Sequence, residues 1–148
     1  MHVEKLAWAV SLWDGARRLA STAQTDAIGE IGMPFFLLLG FSVENGLKAY
    51  LEKQGAPGNW KKSHNLANLF DTASSAGFAP PTGVETFVRT LSPYHEQFVF
   101  RYPEKAGIAD VFKAASSIDA TDALLQEVAS HFDPQEILGT AAVHGVKP

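Results

Sequence analysis

Two groups of side chains in this sequence have residue types and spacings suited to catalysis or to ligand binding. The first is the pair Arg89 and His95, in the stretch RTLSPYH. An imidazole that titrates near neutral pH can accept or donate a proton, and a guanidinium can hold a phosphate by parallel hydrogen bonds. The pair is therefore a candidate catalytic site for chemistry at a phosphodiester.

On a straight helix, the spacing of this pair separates its two side chains. A step of six residues turns about 240° around a straight α-helix, so Arg89 and His95 would point to different sides. Pro93 stands between them, removes a backbone donor and collides with the carbonyl of Arg89. We therefore predict a kink or a restart of the helix at Ser92-Pro93. His95 also falls on an apolar stripe, where a buried structural histidine is the alternative interpretation.

The second group is polar and follows an oily stretch. Glu44 and Lys48 are one helical turn apart in the orientation that favours an ion pair, and Asn45 stands next to Glu44. His64 lies in the sequence SHN, a typical helix start with Ser63 as the N-cap. These side chains are either structural support or the polar rim of a ligand pocket, with His64 facing Glu44 and Lys48.

Arg101 and Tyr102, in the sequence FRYP, extend the second group. A guanidinium and a phenol at the mouth of a bundle can hold a phosphate or stack on a base. The structural alternative is that Arg101 pairs with Glu44, because a carboxylate on an apolar helix needs a partner. We expect that salt bridge.

Composition excludes several other chemistries. The chain has no cysteine, which removes thiolate nucleophiles, disulfides and cysteine-ligated zinc. The histidines show neither HxxxH nor HExxH spacing, and no cofactor-binding motif is present, so we predict neither a metal nor a cofactor. The net charge of −4 indicates no general affinity for nucleic acid.

Apolar periodicity predicts an all-α fold. No segment alternates with a period of two, and the length of 148 residues suits a single domain spanning 1–148. The predicted helices cover about 3–23, 34–54, 63–77, 84–98 and 119–131, with an irregular segment up to about 117. We expect an antiparallel up-and-down bundle of four to five helices. The longest apolar run, 31–41, is too short to cross a membrane, and without a cleavable N-terminal segment we expect a cytoplasmic protein.

Three motifs in a fixed order resemble the HEPN superfamily of small helical bundles. They are FSVENGLKAYL, HNLANLF and FRYP, and they cover about 35–103. The resemblance implies a bundle that commonly dimerises. Many members are metal-independent endoribonucleases in toxin–antitoxin, phage-defence or RNA-processing systems, often with a nucleotidyltransferase partner, whereas others cleave nothing. Active members carry an Arg followed four to six residues later by a His, and two such motifs meet across the dimer; Arg89 and His95 match this spacing, with Pro93 as a departure.

Three functions follow as hypotheses. The first is a homodimeric HEPN-like interaction module, one half of a toxin–antitoxin or nucleotidyltransferase-paired system. The second is a metal-independent endoribonuclease that uses Arg89 and His95 on RNA. The third is binding of a nucleotide or small ligand between the second, third and fourth helices. The residues of that binding site would be Glu44, Asn45, Lys48, His64, Arg101 and Tyr102.

Overall fold

A computed structural model describes residues 2–22, 32–99 and 112–137. Regular secondary structure in these ranges consists of helices alone, so the predicted all-α fold is confirmed. The elements are α1 (His2–Ala20), α2 (Gly32–Lys53), a 3₁₀ turn (Trp60–Lys62), α3 (Leu66–Ser75), α4 (Val84–Val99), α5 (Ala114–Ala129) and a last helical turn at 134–137. Within the described ranges, no helix has the length and apolar character needed to span a membrane.

Helix α2 is the central helix, and α1 packs antiparallel along it. Near one end of this contact, Nζ of Lys5 donates to Oε2 of Glu52 at 2.8 Å. Further along, the hydroxyl of Ser42 donates to the carbonyl of Ala9 at 2.6 Å. Residue numbers rise along α1 while they fall along α2, as an antiparallel pair requires. From its second turn onward α2 is buried on most sides, because its apolar residues occupy nearly the whole circumference.

Two glycines of α2 allow other helices to approach closely. A Cβ atom at Gly46 would lie 2.8 Å from Cδ2 of Leu125, so α5 passes directly over this position. Gly40 has the same role toward His95 of α4. A glycine in a helix costs about 1 kcal/mol relative to alanine. The close packing at both sites explains why two glycines interrupt an otherwise apolar helix.

Two predicted helix starts are wrong. Helix α3 begins at Leu66, and its N-cap is Asn65, whose side chain accepts from the backbone N–H of Asn68 at 2.9 Å. Ser63 instead accepts from the backbone N–H of Asn65, at 3.1 Å. Helix α5 begins at Ala114, five residues before the predicted start. Small residues fill the buried positions of its first two turns, so no apolar stripe marks them in the sequence.

The predicted restart of the helix at Ser92-Pro93 is also wrong, whereas the alternative, a kink in a continuous helix, stays a prediction. Helix α4 runs without interruption from Val84 to Val99, with Pro93 inside it. The proline ring is exposed. The carbonyl of Arg89 loses the N–H that position 93 would otherwise donate, and it lies on this same side of the helix, where water can reach it. Ser92 on the inner side donates to Asn65 and accepts from the backbone N–H of Ala67, at 3.3 and 3.1 Å. These bonds tie α4 to the start of α3 beside the proline.

Candidate functional site

Four ionisable side chains meet where α2, α4 and the start of α3 come together. At the centre lies the carboxylate of Glu44, a buried residue. It lies 2.8 Å from Nζ of Lys48, 2.6 Å from Nε2 of His95 and 3.1 Å from Nδ1 of His64. We call these four residues the Glu44 cluster. An ionised carboxylate can only accept, so the facing nitrogen of each imidazole carries a proton.

The electrostatics of the Glu44 cluster favour the ionised form of its central residue. Burial by itself raises the pKa of Glu44, but hydrogen bonds from His95, Lys48 and His64, together with the charge of Lys48, lower it to about 2. Glu44 is therefore a carboxylate at every physiological pH. Its three donors satisfy both oxygens, as a buried charge requires.

His95 is fully buried and held on several sides. Its ring meets the ring of Phe41 edge to face, with centroids 4.9 Å apart. Nδ1 has no hydrogen-bond partner in the described part of the chain and faces Gly40. With the proton on Nε2, Nδ1 keeps only a lone pair, which avoids a buried donor without an acceptor. The structure therefore agrees with the alternative interpretation of His95 as a core histidine.

His64 connects the Glu44 cluster with solvent. Its side chain is 36% exposed, whereas those of Lys48 and Glu44 are 10% and 6% exposed. Nδ1 lies within 3.2 Å of both carboxylate oxygens, so the carboxylate orients the ring. Asn45 does not join the cluster in this structure, because its amide donates to the carbonyl of Phe41 in the same helix, at 2.8 Å. The cluster therefore has one solvent-accessible imidazole.

Arg89 lies elsewhere, on the exposed side of α4. Its guanidinium binds Asp71 of α3 and, at 3.2 Å, Glu85 one turn earlier, and it covers the ring of Phe70. Hydrogen bonds to Asp71 and Glu85 raise the pKa of Arg89. Arg89 and His95 have different partners, so a single copy does not bring them into one hydrogen-bonded site. Their shared catalytic role stays a prediction.

The remaining predicted site residues, Arg101 and Tyr102, lie outside the described residues. The expected salt bridge between Arg101 and Glu44 therefore stays a prediction.

The sequence did not predict the hydrogen bond from His95 to Glu44, two residues 51 positions apart. The only signal for it was a histidine on an apolar stripe. Among the described residues, no group of three or more His, Asp or Glu side chains is arranged to hold a metal ion.

The fold and the cluster together define an all-α bundle with a largely buried network of ionisable side chains. No family model, curated protein or solved structure matches the chain. The resemblance to the HEPN superfamily accordingly stays a prediction. The network connects α2, α4 and the start of α3. It also exposes one imidazole to solvent, that of His64, which the carboxylate of Glu44 orients.

Proposed function

We propose that the protein is a HEPN-like interaction module that pairs with a second copy of itself through α1 and α2. The observation that carries this proposal is the indole of Trp8, which is 63% exposed. The other two tryptophans are engaged: Trp60 is buried, and Trp13 donates to the carbonyl of Ile118 at 3.1 Å. Tryptophan is enriched in protein interfaces and among the residues that dominate their binding energy.

Trp8 belongs to a longer apolar surface, which we call the α1–α2 face. Its other members are Leu12, Leu19, Met33, Leu38 and Phe41, all of them partly or largely exposed. Helical spacing places those of α1 on one side of that helix, and Leu38 and Phe41 on one side of α2. A Cβ atom at Gly15 would lie 3.7 Å from Leu38, so the two sides adjoin. Covering this surface removes apolar area from water, which stabilises a complex.

The charges along α1 favour a second copy of the protein as the partner that covers the α1–α2 face. Glu4 lies in the first turn of α1, and Arg17 and Arg18 lie in the last. A two-fold axis near Ser11 would place Glu4 of each copy opposite Arg18 of the other. Such an interface is self-complementary, as a symmetric dimer requires. In the HEPN-like scheme this dimer is one half of a toxin–antitoxin or nucleotidyltransferase-paired system.

Light scattering after size-exclusion chromatography tests the proposal. The unmodified protein is expected to elute as a dimer. Trp8→Glu is expected to elute as a folded monomer, because a carboxylate in the middle of an apolar interface has no partner. Asn59→Glu is the matched control, since it adds the same charge at an exposed turn outside the face and should remain a dimer. A monomeric unmodified protein would contradict the proposal.

Crosslinking locates the interface independently. Because the chain has no cysteine, Ser11→Cys introduces a single thiol on the exposed side of α1. Mild oxidation should link two copies through this thiol. Ser74→Cys, exposed on α3, should not form a linked dimer. A dimer that links through position 74 and not through position 11 would move the interface away from the α1–α2 face.

A metal-independent ribonuclease is the second candidate, and the geometry of His64 favours it. A partly exposed imidazole with a carboxylate on Nδ1 is a common arrangement for a general acid or base. Digestion of total RNA in excess chelator, with His64→Ala and His95→Ala beside the unmodified protein, tests this candidate. Cleavage lost in either variant, with its fold intact, supports catalysis. Equal cleavage by all three proteins, or none, counts against a role for these histidines.

A further inference from the structure

Phe41 belongs to two parts of the molecule at once. It is a partly exposed member of the α1–α2 face, and its ring meets the buried ring of His95 edge to face, with centroids 4.9 Å apart. His95 in turn donates from Nε2 to Glu44, at 2.6 Å. One side chain therefore lies between the outer apolar surface and the Glu44 cluster.

Few contacts hold the ring of His95 in its orientation. Among the described residues its one hydrogen bond goes to Glu44, because Nδ1 has no partner there and faces Gly40. A single hydrogen bond leaves an imidazole free to turn about the line of that bond, so packing must fix the plane of the ring. The edge-to-face contact with Phe41 is part of this packing. Movement of Phe41 would release the ring and let water compete for the bond to Glu44.

A partner on the α1–α2 face would cover Phe41 together with its neighbours. Leu38 and Asn45 stand three residues before and four residues after Phe41, and all three are partly exposed on one side of α2. Leu38 also adjoins α1 at Gly15. A second copy that covers this side of α2 therefore packs against the outer side of the Phe41 ring, which already packs against His95 on its inner side. A ring packed on both sides has less freedom to move.

We propose that Phe41 couples self-association to the Glu44 cluster. A second copy on the α1–α2 face holds the ring of Phe41 against His95 and keeps water away from the bond between His95 and Glu44. This inference rests on the proposed dimer. Coupling between two sites is reciprocal, so the state of the cluster also influences association. Because Glu44 orients the solvent-accessible ring of His64, the dimer holds this imidazole more firmly than the monomer does.

The exchange of the Nε2 proton of His95 with solvent measures this coupling. A buried proton exchanges when the structure around it opens, and NMR of the protein with isotope-labelled histidine follows that exchange. The rate in Trp8→Glu, the expected monomer, should exceed the rate in the unmodified dimer about fivefold or more, since coupling free energies usually correspond to at least this factor. The indole N–H of Trp60 is the reference, because it donates to the carbonyl of Ala56 in a buried position outside the face. It should exchange equally fast in both proteins.

Phe41→Leu isolates the residue that carries the coupling. Leucine keeps an apolar side chain on the α1–α2 face, so this variant should remain a dimer, but it lacks the ring that contacts His95. Its His95 proton should therefore exchange faster than in the unmodified dimer. A further change, Trp8→Glu, should accelerate this exchange less in Phe41→Leu than in the unmodified protein, because the coupling residue is already absent.

Light scattering on the same samples separates this inference from the proposed dimer. Equal His95 exchange in the unmodified dimer and the Trp8→Glu monomer would overturn the coupling and leave self-association standing. Equal acceleration of the His95 and Trp60 protons would also overturn it, since that result indicates a general loss of stability. A monomeric unmodified protein would overturn both.

Discussion

The imidazole of His95 rests directly on the backbone of Gly40. A Cβ atom at position 40 would overlap Nδ1 and would lie 3.0 Å from Cγ and 3.1 Å from Cε1 of that ring. The same ring donates to Glu44, one turn further along α2. Helix α4 is therefore fixed to α2 by a close approach and a hydrogen bond only four residues apart.

The first prediction concerns the space at position 40. Gly40→Ala should lower the free energy of unfolding by about 2–3 kcal/mol, because the new methyl group displaces the His95 ring in a packed core. This loss should occur even though alanine is the better helix former by about 1 kcal/mol. Urea unfolding measures the change.

Gly15→Ala is the matched control for this prediction. Its new Cβ would be 3.7 Å from Leu38, an ordinary contact, so the stability should stay equal or rise. His95→Ala should also reduce the cost of a second change, Gly40→Ala, because the colliding ring is then absent. Equal costs of Gly40→Ala with and without the ring would show that His95 is not the group displaced.

The second prediction follows from the depressed pKa of Glu44. Glu44→Gln should destabilise the protein at pH 7 by about 3 kcal/mol, because Lys48 and the two imidazoles lose a buried carboxylate. The pKa of Glu44 in the folded state is about 2, below the ordinary glutamate value of 4.5. Its ionised form therefore stabilises the fold above about pH 4.5, and this contribution is lost as the pH falls toward 2.

Urea unfolding at several pH values between 2 and 7 measures this contribution. The difference in stability between the unmodified protein and Glu44→Gln should shrink by roughly 3 kcal/mol over the acid range. Glu52→Gln is a useful comparison, because Glu52 pairs with Lys5 in a less buried position and should show a smaller change. A difference that stays constant with pH would contradict a low pKa for Glu44.

The third prediction concerns the link between α3 and α4. Ser92→Ala should lower stability by about 1–3 kcal/mol, because it leaves the backbone N–H of Ala67 without its acceptor. Thr90→Ala removes a hydroxyl two residues away that bonds only within α4, and it should have little effect. Chemical denaturation compares the two variants. Similar losses in both would mean that the contact with α3 contributes nothing measurable.

The fourth prediction concerns the proline inside α4. Pro93→Ala should raise the free energy of unfolding by about 2 kcal/mol, since it restores the hydrogen bond to the carbonyl of Arg89 and removes the clash of the ring. The more flexible unfolded chain offsets up to about 1 kcal/mol of this gain. Thermal unfolding measures the change. A lower midpoint would instead show that the exposed ring contributes packing that alanine lacks.

Local patterns in the sequence predicted the local contacts of the site. Glu44 and Lys48 are one turn apart on one helix, so their ion pair depends only on helix geometry, and the structure has it at 2.8 Å. Pro93 shows the limit of such rules. Its position predicted a kink or a restart of the helix, but α4 does not restart there: the proline ring is exposed, and Ser92 beside it bonds to the start of α3.

The sequence by itself determined the all-α class, because helical spacing of apolar residues is a property of short segments. Only the tertiary structure decided which side chains approach Gly40 and Gly46, and that His95 joins Lys48 and His64 around the carboxylate of Glu44. Contacts across 51 positions depend on how helices pack, and the packing depends on the shapes of all facing side chains together. The same packing places Arg89 on the outside and His95 in the core.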